Sequence, residues 1–141
     1  MSSKIIVVGM GYVGLSNAVM LAKNNHVIGL DVSKVKIDQL NKKVSPIEDK
    51  EIQDYLTNKK LNLSFACVDS KFYQDADFVV VATPTNYDSD KNYFDTSLVE
   101  LVVEDALTQA ENSVIVVKST VPVNFTQKLN EKLKTNRILF S

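Results

Sequence analysis

Apolar residues recur along this chain on two scales. Six short aliphatic runs, rich in β-branched residues, lie at 5–8, 27–30, 63–68, 78–82, 114–117 and 138–140, and the stretches between several of them carry apolar residues every three or four positions. The runs predict strands and the intervening stretches predict helices. Leu15, Ala18, Val19 and Ala22 form the apolar face of a first helix over 15–24. Ser33 is placed to cap a second, to about Lys42, with Val35, Ile37 and Leu40 facing inward. Beyond the break at Pro46 a short helix follows over 49–58, a longer one capped by Asp95 or Thr96 runs to about Ala110, and a last one ends near Lys134. The run at 63–68 alternates, as an edge strand does, whereas 78–82 and 114–117 are unbroken, as strands covered on both faces are. Asn25 ends the first helix where a glycine is more usual and is expected in the left-handed conformation.

The first strand runs straight into Gly9-Met10-Gly11-Tyr12-Val13-Gly14, and these are three of the four glycines in the chain. Gly9 permits a sharp turn out of the strand, Gly11 leaves no side chain between the backbone and a pyrophosphate, and Gly14 lets the helix pack closely. The free N–H groups and dipole of the helix start then form an anion site without a basic side chain. Asp31 ends the next strand about 20 residues on, where a carboxylate accepts from a ribose diol and repels a 2′-phosphate, favouring NAD over NADP. Lys34 and Lys36 lie close by; Lys36 either offsets that repulsion or reaches the cofactor's own phosphate. Strands alternating with helices give a Rossmann-type, doubly wound parallel sheet in three α/β/α layers, most simply in the order 3-2-1-4-5-6. Its carboxyl ends gather the glycine turn, Asp31, Thr83, Thr85, Ser119 and Thr120. Thr83 and Thr120 read either as ligand contacts or as turn hydroxyls bonding to backbone.

Composition narrows the partners. At 141 residues and 45% hydrophobic content the chain is one domain, and its net charge of −1 supplies no basic field for nucleic acid or an anionic membrane. No run reaches transmembrane length, and the glycines interrupt any signal-like apolar start. One cysteine, Cys67, excludes an intrachain disulfide and suits a reducing cytoplasm; it is expected to serve packing rather than catalysis. His26 reads as a strand entry, and nothing suggests a metal site. The stretch from Thr83 through Asp88, Ser89, Asp90, Lys91 and Asn92 to Asp95 reads as a long loop, functional or mobile, with a solvated charged tip.

These residues resemble the N-terminal part of the UDP-glucose 6-dehydrogenase family, within the nucleotide-sugar dehydrogenases. The likeness runs through Gly9–Leu15, the Asp31–Lys36 segment, Ser45-Pro46-Ile47, Ala82-Thr83-Pro84-Thr85-Asn86-Tyr87, Asn92-Tyr93-Phe94-Asp95-Thr96 and Lys118-Ser119-Thr120-Val121-Pro122. It implies two successive NAD-dependent oxidations of a sugar C6 alcohol to the uronic acid, through an enzyme-linked aldehyde and thioester. It places cofactor contacts on Gly9, Gly11, Tyr12, Val13, Gly14, Asp31, Lys36, Thr85 and Thr120, with Thr83 beside them, and makes Thr120 similar to the threonine that helps hold the catalytic water. Asn124, like Asn25, stands where the family usually has glycine and is expected to be left-handed. Phe140-Ser141 resembles the start of a motif whose glutamates lie further on, and the family's catalytic cysteine, lysine and asparagine belong to a later domain. Residues 1–141 are therefore expected to be an excised NAD-binding domain of a homodimeric enzyme, its central and substrate domains absent, binding NAD without turning over alone. The alternatives are a domain of a UDP-N-acetylmannosamine or GDP-mannose dehydrogenase and a free-standing NAD-binding module.

Overall fold

The computed structural model describes residues 3–88, 90 and 93–141. Its strands in chain order are β1 Lys4–Val8, β2 His26–Asp31, β3 Leu63–Cys67, β4 Phe78–Val81, β5 Asn86–Asp88, β6 Tyr93–Asp95, β7 Val114–Val117 and β8 Ile138–Phe140. All six aliphatic runs enter one sheet, in the order β3-β2-β1-β4-β7-β8, and every pairing in it is parallel. With β5 and β6 set aside as a separate ribbon, this is the expected 3-2-1-4-5-6.

Alternation along β1 divides the core. Ile5 and Val7 pack with helices α1 Tyr12–Leu21, α2 Lys34–Asn41 and α3 Lys50–Asn58, whereas Ile6 and Val8 pack with α4 Ser97–Gln109 and α5 Phe125–Leu133. Both clusters are closed to water, and each fully buried Val, Ile or Leu stabilises the fold by roughly 1.5–3 kcal/mol. The crossovers change face between β3 and β4, so the sheet's two directions of progress diverge from the gap between β1 and β4.

Local chemistry sets the helix ends. The Ser33 hydroxyl accepts from the Lys36 N–H at 3.3 Å to cap α2, and Asp49 accepts from the Ile52 N–H at 3.0 Å to cap α3. At α4 Asp95 makes the bond to backbone, from the Ser97 N–H at 3.1 Å, while the Thr96 hydroxyl turns to Glu100 at 3.2 Å. Hydrogen bonds from the Ser97 hydroxyl, and then from its N–H, hold the Asp95 carboxyl below its ordinary range. The far end of α4 is closed by Arg137, whose guanidinium donates to the carbonyls of Ala110 at 2.7 Å, Ser113 at 3.0 Å and Leu107 at 3.2 Å. Asn130 clasps the short β8 by accepting from the Ile138 N–H at 3.2 Å and donating to its carbonyl at 2.9 Å.

Five features depart from the sequence reading. Val35 is 70% exposed, so the inward side of α2 is made by Ile37 and Leu40 alone. Helix α1 begins at Tyr12, three residues before Leu15, because the glycine turn leads directly into it. Asn124 is left-handed at φ 66°, but Asn25 is not among the residues of positive φ. Instead its side chain donates to the Leu21 carbonyl and accepts from the Ser3 N–H, both at 3.0 Å, tying the helix end to the entry of β1. Cys67 is exposed at the end of the edge strand β3, so it does not serve packing. The expected loop contains an antiparallel ribbon, with Asn86, Tyr87 and Asp88 paired to Asp95, Phe94 and Tyr93; Ser89, Lys91 and Asn92 lie outside the described residues.

Candidate dinucleotide-binding site

The turn after β1 is fixed by steric need. Gly9 has φ +102°, and a Cβ there would lie 2.5 Å from the Ala82 carbonyl oxygen, while a Cβ on Gly14 would collide with the carbonyl of Gly9. Gly11 is different: nothing lies within 4 Å of the position its Cβ would take, so its missing side chain leaves open space in the cleft. The first helical bond runs from the Leu15 N–H to the Gly11 carbonyl at 2.9 Å, and no side chain caps the helix. The N–H groups of Tyr12, Val13 and Gly14 therefore begin α1 without helical acceptors, at the positive end of its dipole.

Asp31, 8% exposed, stands at the end of β2 and reaches across to this turn. One carboxylate oxygen accepts from the Met10 N–H at 2.8 Å and the other from the Ser33 N–H at 2.8 Å. Each oxygen keeps further acceptor capacity, as a ribose diol requires. Lys36 follows one helical turn after the Ser33 cap and lines the same cleft.

Across the switch point, hydroxyls join two loops. The Thr85 hydroxyl donates to the Thr120 carbonyl at 2.6 Å, and the Ser119 hydroxyl lies 2.7 Å from the Thr83 carbonyl and 3.3 Å from that of Val81. The backbone-bonding reading thus describes Thr85 and Ser119. Thr83 does not follow it: its residue is 5% exposed, and its buried hydroxyl has no partner among the described residues. Thr120 contributes its carbonyl to Thr85 and is itself exposed at the cleft.

A cleft of about 700 Å³ runs along these strand ends. It brings together Gly9, Gly11, Tyr12, Val13, Asp31, Lys36, Thr83, Thr85 and Thr120; Gly14 does not line it, and acts by letting the helix approach the turn. Sequence reasoning missed its apolar wall, made by Val32, Val68, Leu98, Leu101 and Val102 with Asp105. The signal was present in α4, where Leu98, Leu101, Val102 and Asp105 share one helical stripe. Val32 is 70% exposed and Leu101 56%, apolar surface suited to a flat ring. The donors, the diol acceptor and this wall fit the pyrophosphate, ribose and base of a dinucleotide.

The sheet order, the turn and the acid at the end of β2 define a dinucleotide-binding domain of the Rossmann class. The model of the UDP-glucose/GDP-mannose dehydrogenase family, NAD binding domain, matches residues 3–138, and the chain belongs to that family. It is 44% identical over 138 residues to a UDP-glucose 6-dehydrogenase of Streptococcus pneumoniae, covering 98% of this chain and 35% of that protein. The corresponding enzyme of Campylobacter jejuni is 39% identical over 140 residues, with 98% and 36% covered. Among solved structures, a UDP-glucose dehydrogenase from the hyperthermophilic archaeon Pyrobaculum islandicum superposes with a TM-score of 0.83 at 25% identity, covering 100% of this chain and 35% of that one. The chain spans about a third of the length of these relatives. Its cofactor is NAD, as the family implies. No helix among the described residues is long and apolar enough to cross a membrane.

Proposed function

We propose that this chain is the NAD-binding part of an enzyme that oxidises UDP-glucose to UDP-glucuronate, with residues 1–141 forming that domain and the sugar-binding and catalytic domains lying elsewhere in the whole protein. The observation that carries the cofactor reading is the placement of the open side of Gly11 and the Asp31 carboxylate in one cleft. NAD supplies the hydride acceptor. The N–H groups at the start of α1 bind its pyrophosphate, Gly9 and Gly14 shape the turn that presents them, and Tyr12 and Val13 flank it. Asp31 accepts from the adenosine ribose, and Lys36 neutralises charge beside it. Thr85, Thr120 and Thr83 border the other half, where Thr120 also helps hold the water consumed in the second oxidation. The whole enzyme is a cytoplasmic homodimer that takes no nucleic acid or membrane partner.

Calorimetric titration with NAD and NADP tests the site. Saturable NAD binding, with NADP at least tenfold weaker, is expected, at an affinity reduced because a cofactor clamped between domains loses buried surface when one is absent. A folded chain that binds NADP as tightly as NAD would overturn the assignment of Asp31. The substrate is tested in the whole protein by counting NADH formed per UDP-glucose, UDP-N-acetylmannosamine and GDP-mannose; two per UDP-glucose is expected, and turnover of only another sugar would replace it.

A further inference from the structure

We infer that Asp31 is a positioning residue for the phosphate-binding turn, acting through Met10 on groups it does not touch, in addition to the ribose contact on which the proposal above rests. Two successive N–H groups of the turn are committed to β2, Gly9 to the Leu30 carbonyl at 2.7 Å and Met10 to the Asp31 carboxylate at 2.8 Å. The Met10 side chain is fully buried, and a Cβ on Gly29 would lie 2.7 Å from its sulfur, so it is seated against the middle of the same strand. The turn is thereby held at three points on β2, and its outward-facing donors begin only after Met10. The second oxygen of Asp31 holds the Ser33 N–H, and Ser33 caps the helix that carries Lys36. One buried carboxylate fixes both basic-end features of the cleft.

Without it, the Met10 N–H becomes a buried donor with no acceptor, and the peptide between Gly9 and Met10, which leads into Gly11, is free to turn. This predicts a sign that charge alone does not. Removing a negative group beside an anion site raises anion affinity by Coulomb's law. Removing a group that aims the donors lowers it.

Inorganic pyrophosphate, which has no ribose, separates the two. Amide chemical shifts of residues 11–14 would be followed during its titration into the wild-type chain, Asp31→Ala and Asp31→Asn, with hydrogen exchange of the Met10 amide measured alongside. The expected result is a roughly five- to tenfold loss of pyrophosphate affinity in Asp31→Ala, a smaller loss in Asp31→Asn, whose amide keeps one acceptor oxygen, and Met10 exchange at least tenfold faster in the alanine variant. Unchanged or increased pyrophosphate affinity with Met10 still protected would overturn the inference. Should Asp31→Ala fail to fold, Asp31→Asn decides by the same readouts. Met10 exchange decides it even where NAD itself does not bind, an outcome that would count against the ribose reading alone.

Discussion

The two sides of the switch point are built on different principles. On the β1–β2 side the backbone is dictated by what cannot fit: Gly9 and Gly14 admit no Cβ, and a carboxylate pins the turn from the neighbouring strand. On the β4–β7 side no glycine is needed, and the loops are joined by hydroxyl groups that bond to main-chain carbonyls. The first side is rigid through sterics, with its donors left free for a ligand. The second is held by single hydrogen bonds, each worth about 1 kcal/mol net, that occupy the hydroxyls of Thr85 and Ser119.

The largest effect that would sharpen this contrast is at the glycines. Gly14→Ala and Gly9→Ala are expected to cost more than about 3 kcal/mol, because the obstructing atoms are backbone and cannot step aside; thermal unfolding should show a fall of about 10 °C or failure to fold. Gly11→Ala should melt within about 2 °C of the parent yet lose most NAD affinity in the same titration, since its methyl would occupy ligand space. A Gly11→Ala chain that binds NAD normally would break the distinction between packing and ligand glycines.

Next in size is a pair of near-isosteric changes across the cleft. Thr85→Val removes the donor to the Thr120 carbonyl and should cost about 1 kcal/mol in denaturant unfolding, whereas Thr83→Val removes a buried hydroxyl without a partner and should be neutral or stabilising by up to about 1 kcal/mol. Equal costs at the two positions would mean that Thr83 has a partner after all.

Smallest is Tyr73→Phe. Tyr73 is fully buried, its hydroxyl has no partner among the described residues, and burial, with a smaller push from the Asp105 carboxylate, raises its phenol to about 12. Because that value lies above the ordinary 10.0, the unfolded chain loses this proton first and stability falls as pH rises from 10 towards 12. Removing the unpartnered hydroxyl should leave Tyr73→Phe slightly more stable near neutrality, and removing the titrating group should give a shallower alkaline decline in denaturant midpoints. An unchanged alkaline slope would count against it.

The sheet order and the turn were legible because period-2 and period-3.6 patterns and an obligatory glycine each have one physical reading. Asp31 was legible by position but not in its engagement with Met10, since nothing in 21 residues of separation specifies which donor a carboxylate will meet. The ribbon went unread because its strands are three residues each, although Tyr87, Tyr93 and Phe94 on either side of a polar tip carry the β-propensity of a hairpin. Cys67 and Asn25 show the limit of residue-type rules. An edge strand can expose a thiol, and asparagine can end a helix through its side chain as well as through its backbone.

The contact between Gly9 and Ala82 also orders events in time. Val8 accepts from the Ala82 N–H at 2.8 Å, and the register sets Val8 beside both Leu30 and Val81, so the wall that closes the turn comes from a residue 73 positions later in the chain. As the chain leaves the ribosome, β1, α1, β2 and Asp31 can assemble early, but the inner edge of β1 stays unpaired until β4 emerges. The interval before that strand arrives is when this sheet is most open to pairing with another molecule.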